Sequence, residues 1–125
     1  MTHHLDLGQL LWTAEQVPGD PQADDLGVLI AGSARTRARA FNHEVYGSIP
    51  LKAAALMQTL ALLAPLERGN KAFSFAAARA FMRANGLPIQ PPPDELRKVL
   101  ASIAPGAQGV RVLAKHLDRW ALEQQ

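Results

Sequence analysis

The sequence predicts an all-α fold: a compact bundle of about six helices in one domain, residues 1–125, with a short flap before the central helix. Three observations carry this. Ala and Leu dominate the apolar residues, while aromatics reach only 6% and Val and Ile are scarce, a balance that favours helix over strand. Apolar residues recur at helical spacing in one segment after another. Breaks rich in Pro and Gly, "PGDPQ", "LPIQPPP" and "PGAQG", separate those segments. At 125 residues and 48% apolar, the chain is long enough for one core and too apolar for disorder.

The elements follow in order. Leu7, Leu10, Leu11 and Ala14 mark a first helix between Leu5 and Val17, ended by Pro18 and Gly19. A second is expected from about Gln22 to about Arg39, with Leu26, Val28, Leu29 and Ile30 as its apolar face and Asp24 and Asp25 in its first turn. "ARAFNHEVYGSIP" then loses the period and predicts a loop or short extended flap around Phe41, Val45 and Tyr46. Ser48 as N-cap and Pro50 in the first turn open a third helix, "LKAAALMQTLALLA". It is apolar on nearly all sides and therefore belongs in the centre. A fourth helix runs from near Asn70 to Asn85, with Gly86 as its stop. Pro92 and Pro93 precede Asp94 and Glu95, which start a fifth helix reaching about Ala104. A sixth spans Val110 to about Glu123 and carries Val112, Leu113, Leu117, Trp120 and Leu122. Phe73, Phe75, Phe81 and Met82 are expected in the core, Trp12 and Trp120 packed at the chain ends, and His3 and His4 on a frayed terminus.

Composition limits the function classes. The net charge is only +2, and the pI of 9.4 reflects a slight excess of Lys and Arg (13) over Asp and Glu (11). That balance is no nucleic-acid footprint on its own, and Arg35, Arg37 and Arg39 form the one local cluster. With no cysteine, disulfides and thiolate metal sites are excluded, which suits a cytoplasmic protein. The N-terminal "MTHHLDLGQLL" lacks the basic region and long apolar run of a signal peptide. Lys52, Gln58, Thr59 and Arg79 interrupt the apolar stretches, so no membrane span is expected.

The segment with chemical content is the turn Gly69-Asn70-Lys71 before the fourth helix. A helix start offers unpaired N–H groups and the positive end of the macrodipole. Gly69 permits a tight turn and close approach of a ligand to the backbone. Asn70 can cap the helix or bind an anion or a hydrated metal, and Lys71 adds charge; together they could hold a phosphate. Spacing alone favours the plainer alternative, a capped helix start with a surface lysine.

The arrangement is more specific. An apolar central helix passes through a short turn into a second capped helix, with a flap upstream at 40–48. This resembles the Fic/Doc family, in particular its short Doc-type branch, the toxin half of toxin–antitoxin pairs. The resemblance covers most of the chain. "DDLGVLIAGSARTRARAFNHEVYGSIPLKAAAL" is similar to the family's stretch from second helix through flap to central helix. "GNKAFSFAAARAFMRANGL" is similar to its post-loop helix, and "DELRKVLASIAPGAQGVRVLAKHLDRW" to its closing helices.

The family motif is His-Pro-Phe-x-Asp/Glu-Gly/Ala-Asn-Gly/Lys-Arg. "APLERGNKA", Ala64 to Ala72, lines up with it, and Pro65, Gly69, Asn70 and Lys71 match. The resemblance puts Ala64 where the family has its general-base histidine, Arg68 at the metal-binding acid and Ala72 at the arginine that grips the nucleotide phosphates; Leu66 replaces the Phe. The family transfers AMP or phosphate onto protein hydroxyls. Alanine accepts no proton, arginine repels Mg²⁺ rather than ligating it, and the phosphate clamp is missing. Such losses cost about 10² to 10⁴ in rate each, without simple additivity.

The resemblance therefore implies a degenerate transferase with no catalytic residue in place and no metal ligand. Gly69, Asn70 and Lys71 would hold ATP, another nucleotide or phosphate. Phe41, His43 and Tyr46 in the flap would meet a protein partner, either a cognate antitoxin or a target docked by strand addition. For Arg35, Arg37 and Arg39, such docking stands beside a simple favourable position at a helix C-terminus. Glu67, one place from the acid, and His43 are the weak substitutes on which surviving phosphoryl or AMP transfer would rest. A helical partner-binding protein with no ligand in the cleft is the third alternative.

Overall fold

The computed structural model describes residues 1–107 and 109–122. Among them are six helices and one hairpin: α1 (Leu7–Glu15), α2 (Leu26–Thr36), β1 (Arg39–Ala40), β2 (His43–Glu44), α3 (Ile49–Leu63), α4 (Asn70–Ala84), α5 (Pro93–Ser102) and α6 (Val110–Arg119). The all-α expectation holds. The strands pair antiparallel, Arg39 with Glu44 and Ala40 with His43.

The third helix is the axis. It packs against α2, α4 and α6. Ala53, Ala54, Ala55, Leu56, Met57 and Leu60 are wholly shielded from solvent. Alanines on several faces let neighbouring helices approach closely. Gly32 on α2 extends this, since a Cβ there would lie 3.1 Å from Leu56 Cδ1. Phe73, Phe81 and Met82 of α4 fill the space beside α3, with Phe75 near the edge, as their helical spacing predicts.

Helix starts follow local chemistry. Asp6 and Gln9 form a capping box on α1, Asp25 accepts from the Val28 N–H, and Ser48 accepts from the Leu51 N–H with Pro50 in the first turn. Gly86, at φ +79°, follows α4, and the Leu87 N–H returns to the Met82 carbonyl.

Several expectations are corrected. The first helix is shorter than Leu5–Val17, because Asp6 caps it from outside. The second begins at Leu26, four residues after Gln22, and ends at Thr36. Gln22 to Asp25 spend their backbone groups on the segment after α3, and Arg39 belongs to β1. The fifth helix starts at Pro93 and stops at Ser102. The sixth ends at Arg119, short of Glu123, which lies outside the described residues. Beyond it, Ile89 and Ala121 form an antiparallel bridge; the Gln90 N–H donates to the Trp120 carbonyl and the Leu122 N–H to the Pro88 carbonyl. The Pro-rich connector thus meets its hydrogen-bond needs by pairing with the end of the chain.

The tryptophans separate. Trp120 is buried, edge-on to Phe75 and donating Nε1–H to Glu95, whereas Trp12 is 63% exposed. The N-terminal segment is tied down rather than frayed. The His3 N–H donates to Asn85 Oδ1, Asn85 Nδ2 donates back to the His3 carbonyl, and Leu5 enters the core.

Candidate functional site

The turn between α3 and α4 is built from two left-handed residues and an amide. Ala64 ends α3 at φ 45°, and Gly69 stands before α4 at φ 74°. Pro65 and Leu66 are buried between them. Asn70 does not cap the helix with its side chain. Its Oδ1 accepts from the Leu66 N–H at 2.8 Å and its Nδ2 donates to the Leu66 carbonyl at 2.9 Å. Both polar groups of the half-buried Asn70 side chain are thereby satisfied, and the amide is spent on closing the turn.

The α1–α2 connector covers one side of this turn. Asp24 and Asp25 donate their N–H groups to the Pro65 carbonyl, Ala23 and Leu66 form an antiparallel bridge, and the Glu67 N–H donates to the Gln22 carbonyl. Glu67 Oε1 accepts from the Gln22 N–H at 3.0 Å and pairs with Arg68 Nη1 at 2.8 Å. Arg68 Nη2 donates to the Gly19 carbonyl at 2.7 Å. A Cβ on Gly69 would stand 2.9 Å from Val17 Cγ1, so backbone angle and space both select glycine there.

This donor set does not fit a divalent cation. The one carboxylate of the turn, Glu67, shares Oε1 between an amide and a guanidinium, and an incoming cation would face Arg68. An anion fits better. Lys71 and Ala72 are exposed at the start of α4, and the Lys71 ammonium has no partner among the described residues. No group of three or more His, Asp or Glu among the described residues is placed to hold a metal ion.

The flap residues lie elsewhere. The hairpin joins the end of α2 to the start of α3, whereas the turn joins the end of α3 to α4. The 15 residues of α3 separate them by about 22 Å of helical rise. The structure therefore does not bring His43 to Ala64. Phe41 and Asn42 form the hairpin tip, both at positive φ (52° and 65°), and Phe41 is 95% exposed. That conformation is uncommon for a bulky residue.

The hairpin is anchored by charge. Lys52, buried in α3, pairs with Glu44 Oε2 at 3.0 Å and donates to the Tyr46 carbonyl. The hydrogen bond from Lys52 holds the Glu44 carboxyl below its ordinary range. Arg35 donates Nε–H to the Tyr46 hydroxyl at 2.7 Å and reaches Gln58 Oε1, the Ala55 carbonyl and Thr59 Oγ1. Arg37 reaches Ser33 Oγ and Arg39 the Asn42 carbonyl. All three arginines have partners within the chain.

The anchoring roles of Lys52 and of the polar set around Arg35 were not legible in the sequence. The available signal was a lone lysine in the run "LKAAALMQTL", which must find a counter-charge if buried. His4 completes this end of the molecule. Thr36 Oγ1 donates its one proton to the Ser33 carbonyl, so its contact with His4 Nδ1 at 2.9 Å makes Nδ1–H the donor. Burial, then the Arg37 and Lys52 charges, lowers the His4 pKa.

No helix among the described residues is long and apolar enough to cross a membrane. No protein-family model matches the sequence, and no solved structure matches it. A curated relative, "Toxin Doc" from Mycolicibacterium smegmatis, is 37% identical over 91 residues, which cover 71% of this chain and 69% of that protein. Agreement of that extent, in a helical chain whose third and fourth helices meet at the Ala64–Asn70 turn, shows that this chain belongs to the Doc-type toxins of the Fic/Doc family.

Proposed function

We propose that this chain is a cytoplasmic, single-domain Doc-type protein whose group-transfer chemistry is lost or severely impaired, and that it acts by binding a protein partner. The turn at Gly69, Asn70 and Lys71 is retained as a contact for a nucleotide or phosphate through its backbone N–H groups and the Lys71 ammonium, since the Asn70 side chain is held by Leu66. The observation that carries the reading is Arg68. At the place the family gives to a metal-binding acid stands a guanidinium bonded to the Gly19 carbonyl and to Glu67. Ala64 and Ala72, at the family's base and phosphate-clamp positions, support it further. A cognate antitoxin segment is the partner this reading favours, with a target at the flap residues Phe41, His43 and Tyr46 as the other.

Incubation of the purified chain with ATP and a bacterial lysate, scored by mass shift, tests the reading. The expected outcome is no modification. Robust phosphorylation or AMPylation that disappears in both Asn70→Ala and Lys71→Ala would refute it.

A second reading keeps the transfer reaction, as a divergent phosphoryl- or AMP-transferase toxin. It is favoured by the Mycolicibacterium smegmatis relative, which is named a toxin. Glu67 is the substitute within the turn; His43 lies at the far end of α3. Growth arrest on expression, relieved by Glu67→Ala, would favour this second reading.

A further inference from the structure

We infer that the groove between the hairpin end of α3 and the outer face of α6 is a docking site for an acidic, apolar-faced segment of a protein partner. It consists of two adjoining hollows, of about 530 and 390 Å³, that share Leu51 and Arg111 in their walls. Val45, Leu51, Val110 and Val112 give the first hollow an apolar lining, and Val45 (50%) and Val112 (38%) leave much of their surface in water. Along α6 the groove runs from Gly109 to Asp118. That is about 14 Å of helical rise, room for two to three turns of a bound helix.

Charge selects the occupant. Arg111 and Lys115 lie one turn apart on α6, both exposed and both without an ion pair or hydrogen bond among the described residues. Other cations at this end are engaged: Lys52 with Glu44, Arg35 with Tyr46, Arg39 with the Asn42 carbonyl. Among the described residues Asp118 is the single acid lining the groove, at its far end. The N-terminus of α3, capped by Ser48, adds positive potential at the wall. The apolar hollow between α1 and α4, beside the exposed Trp12, has no such bias, because Asp6 and Arg83 both line it. Apolar surface supplies area for binding; two free cations beside it decide the sign of the partner.

This site locates the partner of the reading above and rests on that reading for its role. The test uses the whole chain and two synthetic peptides of about 14 residues, enough for the groove plus flanking turns. One repeats leucine at i, i+3, i+4 and i+7 with glutamate between; the other replaces every glutamate by lysine. Backbone amide shifts are followed by NMR.

The acidic peptide is expected to shift Val45, Leu51, Val110, Val112 and Ala114, and to lose affinity as salt rises. The double variant Arg111→Glu, Lys115→Glu is expected to weaken it by about tenfold or more, while Arg83→Glu leaves it unchanged. Val112→Asp is expected to weaken it as well, which separates loss of apolar contact from loss of charge. Equal binding of the lysine peptide, shifts centred on α1 and α4, or no shift at millimolar peptide would overturn the site. Transfer activity in the ATP assay sinks only the earlier reading, and an inert chain that ignores the acidic peptide sinks only this one.

Discussion

The two ends of α3 are held in opposite ways. At its N-terminal end the hairpin is fastened by charge, with Lys52 on Glu44 and Arg35 on Tyr46. At its C-terminal end the turn is fastened by neutral groups: the Asn70 amide on Leu66 and the backbone of 22–25 on 65–67. Charges at the turn, Glu67 and Arg68, sit at its exposed rim. A neutral amide lock needs no metal or nucleotide to hold its shape. The turn thus keeps its shape by itself, while the charge-held end answers to pH and salt.

Gly69→Val should have the largest effect on this contrast. It forces a branched side chain onto a left-handed backbone and against Val17, so a loss of about 3 kcal/mol in denaturant unfolding is expected. Asn70→Ala comes next. It leaves the Leu66 N–H and carbonyl unpaired at about 2 kcal/mol, and hydrogen exchange at Leu66 should accelerate. Neither penalty should change between pH 4 and 8, because no titrating group takes part.

Glu44→Gln sharpens the contrast from the other end. The folded carboxyl has a lowered pKa, so its contribution is present above the ordinary 4.5 and is lost as pH falls through the lowered folded value. Wild type and variant should therefore differ in melting temperature at neutral pH and converge in acid. His4 acts in a higher window. Its imidazole resists protonation in the folded chain, so below 6.5 the unfolded state binds more protons and stability declines. His4→Gln should flatten melting temperature against pH in that window. Arg68→Ala is expected to do least, from a few tenths to about 1 kcal/mol, since its ion pair with Glu67 is exposed. A larger loss would mean that the rim charges, rather than the amide, hold the turn.

Much of the architecture was legible in local residues. Ser48 with Pro50 marks the start of α3, and Gly86 follows the end of α4. An alanine- and leucine-rich run without a polar face belongs at the centre, and α3 lies there. The start of α2 was not legible. Gln22 to Asp25 suit a first helical turn, and only their long-range pairing with 65–67 removes them from it. The sequence offers Asn70 as a cap or an anion ligand because both uses are local, and the structure shows no side-chain cap. Its actual partners, both polar groups of Leu66, appear only once the turn is closed.

By itself the sequence determined the helical class, the order of the six helices, the buried α3 and the residues at 64, 68 and 72. Periodicity and capping act within a few residues, so they are written locally. Only the tertiary structure decided that the flap and the turn lie at opposite ends of α3, that Lys52 is a buried anchor, and that Arg111 and Lys115 flank an apolar groove. Those facts depend on which groups meet across the fold, and spacing along a chain carries no record of an encounter between residues far apart in it.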